Sequence, residues 1–117
     1  MPRSDSLGQF EQLVLTAIVS LGDNAYGVTI HQKVEDLARP KSVTLGAIYV
    51  TLDRLEDKKY VTSWLSEPTA ERGGRAKRCY KVEASGERAL RESITTAQRM
   101  ASSIAAVWGP QKGWGKA

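Results

Sequence analysis

The hydrophobic period of this chain changes twice. Up to residue 58 the apolar residues recur every three or four positions, the spacing of buried helix faces. Residues 61–83 turn to strand formers on either side of a polar, glycine-containing stretch, and from residue 85 the helical spacing returns. The order is three helices, a hairpin and a final helix. With 41% apolar and 26% charged residues in 117, the composition fits one soluble globular domain with a short appendage.

The first helix is expected over residues 6–21. Leu7, Phe10, Val14, Ala17 and Leu21 form its stripe, widened by Leu13 and Ile18. Ser6 with Gln9 predicts a capping box, and Gly22, Asp23 and Asn24 a stop. A second helix is expected from Tyr26 to about Leu37, with Ile30, Val34 and Leu37 inside and His31 on the solvated side. Pro40 ends it, because proline disfavours helical geometry in the residue before it. Thr44 predicts the cap of a third helix over 45–58, whose core face is Leu45, Ile48, Leu52 and Leu55. Placing residues at about 100° intervals puts Gly46, Val50, Asp53, Arg54 and Asp57 opposite, with Tyr49 on the flank. Strands are expected over 61–67 and 77–83, with a turn-rich tip between them. The last helix, 85–108, carries Leu90, Ile94, Ala97, Ala101, Ile104 and Trp108 at heptad-type spacing, and Gly109-Pro110 ends it.

Scarcity narrows the chemistry. One histidine and one cysteine cannot build a zinc site, a disulfide or a Ser-His-Asp or Cys-His catalytic set within one chain. An enzyme is not expected, nor a cofactor. Gly73-Gly74 lacks the following helix and the lysine-serine pair of a phosphate-binding loop. The absence of a long apolar run and of a leader-like start predicts a cytoplasmic protein with no membrane association. Cys79 fits a small structural residue on a strand, and Trp64 and Trp108 fit packing residues.

Charge points the other way, toward a partner. Seventeen lysines and arginines against thirteen acids give a net +4. Between Thr69 and Lys81 stand Arg72, Arg75, Lys77, Arg78 and Lys81 with only Glu71 against them, which is also +4. The entire excess lies on the hairpin, where phosphate contact would use it. A recognition helix enters the major groove by its N-terminal end, so the small Gly46 and the exposed Val50 suit close approach to base edges. Asp53 and Asp57 limit that approach to the first two turns. Tyr49 is open to two readings, a phosphate contact or a half-buried packing residue.

Three motifs in order also carry a resemblance. Residues 22–27 (GDNAYG), residues 44–49 (TLGAIY) continuing through 52–56 (LDRLE), and the wing from Glu67-Pro68-Thr69 through Arg72 to Arg78 resemble the PadR family of bacterial transcriptional regulators. Ala84-Ser85-Gly86 before the last helix also fits, and the resemblance covers about residues 7–95. It implies a winged helix-turn-helix, mainly α with a small β-hairpin, and one long C-terminal dimerisation helix. It also implies a homodimer, usually a repressor, with first and last helices interlocked across a two-fold axis. Lys59 stands where the family usually has glycine, which predicts strain at the helix end. Ala97 stands where drug-binding members carry a stacking tryptophan, so their drug sandwich is not implied here.

The expected organisation is a DNA-binding unit over 1–83, a dimerisation helix over 84–108 and a tail over 109–117. Double-stranded DNA would be met by Tyr26, Lys41, Ser42, Thr44, Leu45, Gly46, Tyr49, Val50 and Arg54, and by the wing residues Arg72, Gly73, Gly74, Arg75 and Lys77. The dimer would use Leu7, Phe10, Val14, Leu90, Ile94, Ala97, Ala101, Ile104 and Trp108. A small-molecule effector would sit at Ala97, Ala101 and Trp108. The alternative is a winged-helix protein-interaction module without sequence-specific DNA binding.

Overall fold

A computed structural model describes residues 7–67 and 76–109. Four helices and a hairpin follow in the expected order: α1 Gln9–Leu21, α2 Gly27–Ala38, α3 Leu45–Asp57, β1 Val61–Leu65, β2 Arg78–Val82 and α4 Ala84–Trp108, with a 3₁₀ turn Gly22–Asn24 after α1.

The start of α1 corrects the expected cap. Gln9 is the first helical residue and Gly8 the cap, and the N–H of Gly8 donates to Glu11 Oε1 at 3.0 Å. Ser6 lies outside the described residues. A carboxylate three positions after the cap closes the turn and also meets the positive end of the helix. The buried face of α1 is Glu11, Val14, Leu15, Ala17 and Ile18, with Leu15 fully enclosed. Phe10, Leu13 and Leu21 are only partly covered. The core takes Val14 and Ala17 of the expected stripe together with Leu15, and leaves Phe10 packed at its partly covered edge.

The core joins this face to Ile30 and Val34 of α2, Ile48, Leu52 and Leu55 of α3, Val61 of β1 and Tyr80 of β2. Leu37 and Leu45, expected inside, are 42% and 38% exposed at helix ends. The Tyr26 N–H donates to Thr29 Oγ1 at 3.0 Å, which starts α2. Thr44 caps α3 as expected, its Oγ1 accepting the Ala47 N–H at 3.1 Å. Lys59 follows α3 at φ +68°, the left-handed region that favours glycine. That conformation costs roughly 1 kcal/mol in a residue with a β-carbon. The peptide groups around it are nonetheless held, with Lys59 N–H on Glu56 C=O at 2.9 Å and Tyr60 N–H on Leu55 C=O at 2.9 Å.

β1 and β2 pair antiparallel, from Val61 opposite Val82 to Leu65 opposite Arg78. The second edge of β2 is also occupied. Tyr26 bridges Cys79, and the Tyr80 N–H donates to the Ala25 carbonyl at 2.9 Å. The hairpin is therefore tied to the start of α2. Cys79 is buried there, whereas Trp64 is 46% exposed and does not serve the packing role expected of it. α4 begins against the hairpin at Gly86, where a β-carbon would collide with the Tyr60 carbonyl oxygen.

An ion pair between a buried carboxylate and a largely solvated lysine ties the first turn of α1 to the end of α3. Lys58 Nζ donates to Glu11 Oε2 at 2.9 Å, and Glu11 is only 6% exposed. Burial alone would raise its pKa. The hydrogen bonds from Lys58 and the Gly8 amide, with the charges of Lys58 and Arg54, outweigh burial and hold the carboxyl below its ordinary value. A lowered folded-state pKa contributes stability above the unfolded value, lost as pH falls through the folded one. Lys58→Met is expected to destabilise the fold by about 1 kcal/mol at neutral pH, because the Glu11 carboxylate loses its nearest cation while solvent already reaches the lysine and the Gly8 amide and Arg54 remain. In urea titrations the gap between the two proteins should close only as pH falls below the ordinary carboxylate range and through the lowered folded-state value of Glu11, where the wild type also loses the pair. A gap of constant size would show that the pair does not hold this corner.

Candidate nucleic-acid interface

α3 is held on its inner side by Ile48, Thr51, Leu52 and Leu55 and turns Gly46, Tyr49, Val50, Asp53 and Arg54 to solvent. Val50 is 58% exposed, a large apolar surface for an isolated helix face. At Gly46 a β-carbon would meet nothing within 4 Å, so the first turn of the helix is bare. Lys41, Ser42, Thr44 and Leu45 are exposed just before and at that turn. The free amides there carry the positive end of the helix, which favours a phosphate.

Tyr49 is the half-buried packing residue of its second reading, and part of it stays in reach of solvent. The ring is 43% exposed, and its hydroxyl lies where a β-carbon on Gly27 would have to be. Glycine at 27 is what lets the phenol lean its hydroxyl on the start of α2. Tyr26 begins the same helix, and Lys77 Nζ stands 4.2 Å above its ring. That cation–π contact fixes the returning strand beside α2. Tyr26, Val28, Tyr49, Lys77 and Arg78 line one recess of about 540 Å³. Residues from α2, α3 and the hairpin thus share one concave face, though they are far apart in sequence.

Arg78 is committed elsewhere, donating to Ser63 Oγ at 2.9 Å, while Ser63 donates to Glu56 Oε2 at 2.8 Å. It braces the tip-side end of the paired strands to α3 through Ser63 and Glu56. Arg72, Gly73, Gly74 and Arg75 lie outside the described residues. His31, expected to be solvated, is instead half-buried, with Nε2 2.6 Å from the Val43 carbonyl oxygen. Nothing in the sequence pattern marks that contact, because the two residues belong to different elements.

The residues expected at a dimer seam divide. Leu7, Val14 and Leu90 are buried within the single chain, in its own core. Ile94, Ile104 and Trp108 are 45%, 36% and 65% exposed, and Ala97 is also exposed, with Ala101 half-buried. Ala97 lines a cavity of about 250 Å³ between the start of α1 and the middle of α4, which Ala101 and Trp108 do not reach.

Residues 14–92 match the Transcriptional regulator PadR-like family. The chain belongs to that family. Solved PadR relatives have the same fold. A PadR family transcription regulator from Clostridium difficile R20291 is 25% identical, with a TM-score of 0.67 over 86% of this chain and 98% of that one. A PadR-like transcriptional regulator from Bacillus cereus is 20% identical, with a TM-score of 0.69 over 86% and 92%. The ORC1 protein of Aeropyrum pernix, solved in complex with DNA, is 25% identical, with a TM-score of 0.60 over 79% of this chain but 26% of that one. No curated relative matches the chain. Membership of the PadR-like family makes this a winged-helix, DNA-binding transcriptional regulator rather than an enzyme. Among the described residues of this PadR-like regulator, no helix is long and apolar enough to cross a membrane.

Proposed function

We propose that the chain is a homodimeric repressor that reads a palindromic operator with α3 and grips the backbone with its basic wing. The observation that carries this is the bare first turn of α3, at Gly46, beside the recess shared by Tyr26, Tyr49 and Lys77. Base edges would meet Gly46 and Val50, and phosphates would meet Lys41, Ser42, Thr44, Tyr49 and the wing. The DNA complex of the structurally similar Aeropyrum pernix protein supports this use of the fold. Residues 1–83 form the DNA-binding unit in this reading, with 84–108 as the dimerisation helix.

The dimer would cover Ile94, Ile104 and Trp108 of α4 and the half-exposed Phe10 of α1. A groove of about 580 Å³ runs from Phe10, Leu13 and Leu37 to Lys41, Ser42 and Thr44; a second copy's α4 would take its apolar end and leave the end beside α3 to the duplex. Two-fold symmetry of the protein then requires two-fold symmetry in the operator. Repression follows from occupying a promoter. An effector would act at Ala97, Ala101 and Trp108, where the two alanines leave room at the two-fold seam beside the indole. Selection of bound duplexes from a random pool, then gel-shift titration, tests the reading. Recovery of no preferred duplex would favour a protein-interaction module instead.

The wing supplies affinity without sequence. Arg72, Arg75 and Lys77 would make about six phosphate contacts per dimer, contributing roughly −5 to the slope of log affinity against log salt. Arg75→Ala removes two of them, so the slope should become shallower by roughly 2. Operator and unrelated duplex should lose affinity together, since phosphates carry no base identity. A loss confined to the operator, with the slope unmoved, would mean that this arginine reads minor-groove shape.

A further inference from the structure

The connector between α2 and α3 is held at one residue from two sides. Val43 is the last residue before the Thr44 cap. Its carbonyl oxygen lies 2.6 Å from His31 Nε2, and its N–H donates to Glu35 Oε2 at 3.2 Å. A carbonyl can only accept, so His31 Nε2 carries the hydrogen and donates. Glu35 stands one helical turn after His31, with Oε2 3.7 Å from Nε2. Neither side chain is enclosed: His31 is 25% and Glu35 41% exposed. Two partly solvated side chains of α2 therefore satisfy both backbone groups of a residue in a loop, a task that water could otherwise perform.

The consequence lies at the next residue. Thr44 caps α3, its backbone carbonyl accepts the Ile48 N–H, and Gly46, Tyr49 and Val50 follow within two turns. The direction in which α3 leaves the connector decides where those three stand relative to a base pair. We propose that His31 and Glu35 are positioning residues for sequence recognition: they clamp Val43 and so fix the angle at which α3 is presented to the duplex. Neither touches the bases. Their effect is on discrimination, because non-specific binding needs only charge near the backbone and tolerates a mobile helix.

The inference rests on the duplex-binding reading, and the experiment separates the two. His31→Leu removes the donor, whereas His31→Gln places an amide N–H at similar reach. Glu35→Ala, at a half-exposed site that tolerates truncation, removes the acceptor independently. Affinity is measured for the selected operator and for an unrelated duplex, beside thermal melting. His31→Leu and Glu35→Ala are expected to lower the operator-to-unrelated ratio about fivefold to tenfold, the worth of one hydrogen bond. His31→Gln is expected to restore the ratio to within about twofold of wild type, and binding of the unrelated duplex should hold within about twofold throughout. An unmoved ratio in both Leu and Ala variants overturns the clamp. Equal losses for both duplexes, or a failure of glutamine to rescue, also overturn it, because they indicate a structural role only. A wild type that prefers no duplex overturns the functional proposal and the clamp together.

Discussion

Gly46→Arg is expected to abolish operator preference while leaving the melting temperature at or above that of the wild type. The fold has room for the side chain, since a β-carbon at 46 meets nothing within 4 Å. Arginine is a better helix former than glycine by up to about 1 kcal/mol, which offsets the cost of a cation at the positive end of α3. The damage falls on approach. A long guanidinium at the first turn would hold the helix away from the groove floor that Gly46 allows it to reach. Operator affinity should fall at least about a hundredfold, toward the non-specific level. Unrelated duplex should bind equally well or better, because each dimer gains two cations. Gel-shift titration of both duplexes reads the difference. Unchanged operator affinity would show that another element enters the groove.

The double substitution Ile94→Asp and Ile104→Asp is expected to convert dimer to monomer without unfolding the protomer. Both residues are already exposed in the single chain, so the new carboxylates face water there. Leu90 is only 7% exposed and belongs to the chain's own core, so Leu90→Asp should unfold it and serves as the contrast. In the proposed dimer the driving force for association would be the apolar surface that α4 leaves uncovered. Ile94, Met100, Ile104, Val107 and Trp108 are all exposed along its outer turns. A helix of 25 residues spans about 38 Å, and its outer half would be marginal in water without a partner. A surface of that kind marks an interaction site. Sedimentation equilibrium should show wild-type dimer and variant monomer at micromolar concentration. Operator affinity should collapse with the dimer, since two half-sites no longer act together. A monomeric wild type would refute the seam.

Local chemistry is legible in the residues themselves. The helical spacing, the threonine at 44, the glycine at 109 and the switch to strand formers at Val61 each act within a few positions of themselves, and the structure has the corresponding cap, helix end and hairpin. Lys59 in place of a glycine is likewise a local matter, and its φ of +68° is the outcome. The uneven charge of the hairpin is visible for the same reason, because it is a sum over neighbours in the chain.

What tertiary structure alone decided is which surface each element meets. A stripe at spacings of three and four shows that a helix has an apolar face, but not what covers it. In α1 the core enclosed Leu15 and left Phe10 at its edge, and Leu7, Val14 and Leu90 lie in the chain's own interior. Tyr49 found Gly27, Lys77 found Tyr26, and His31 and Glu35 found Val43, each across a gap in sequence that no periodicity spans. Burial and hydrogen bonding reward contact in space, and periodicity along the chain records only half of each such pair.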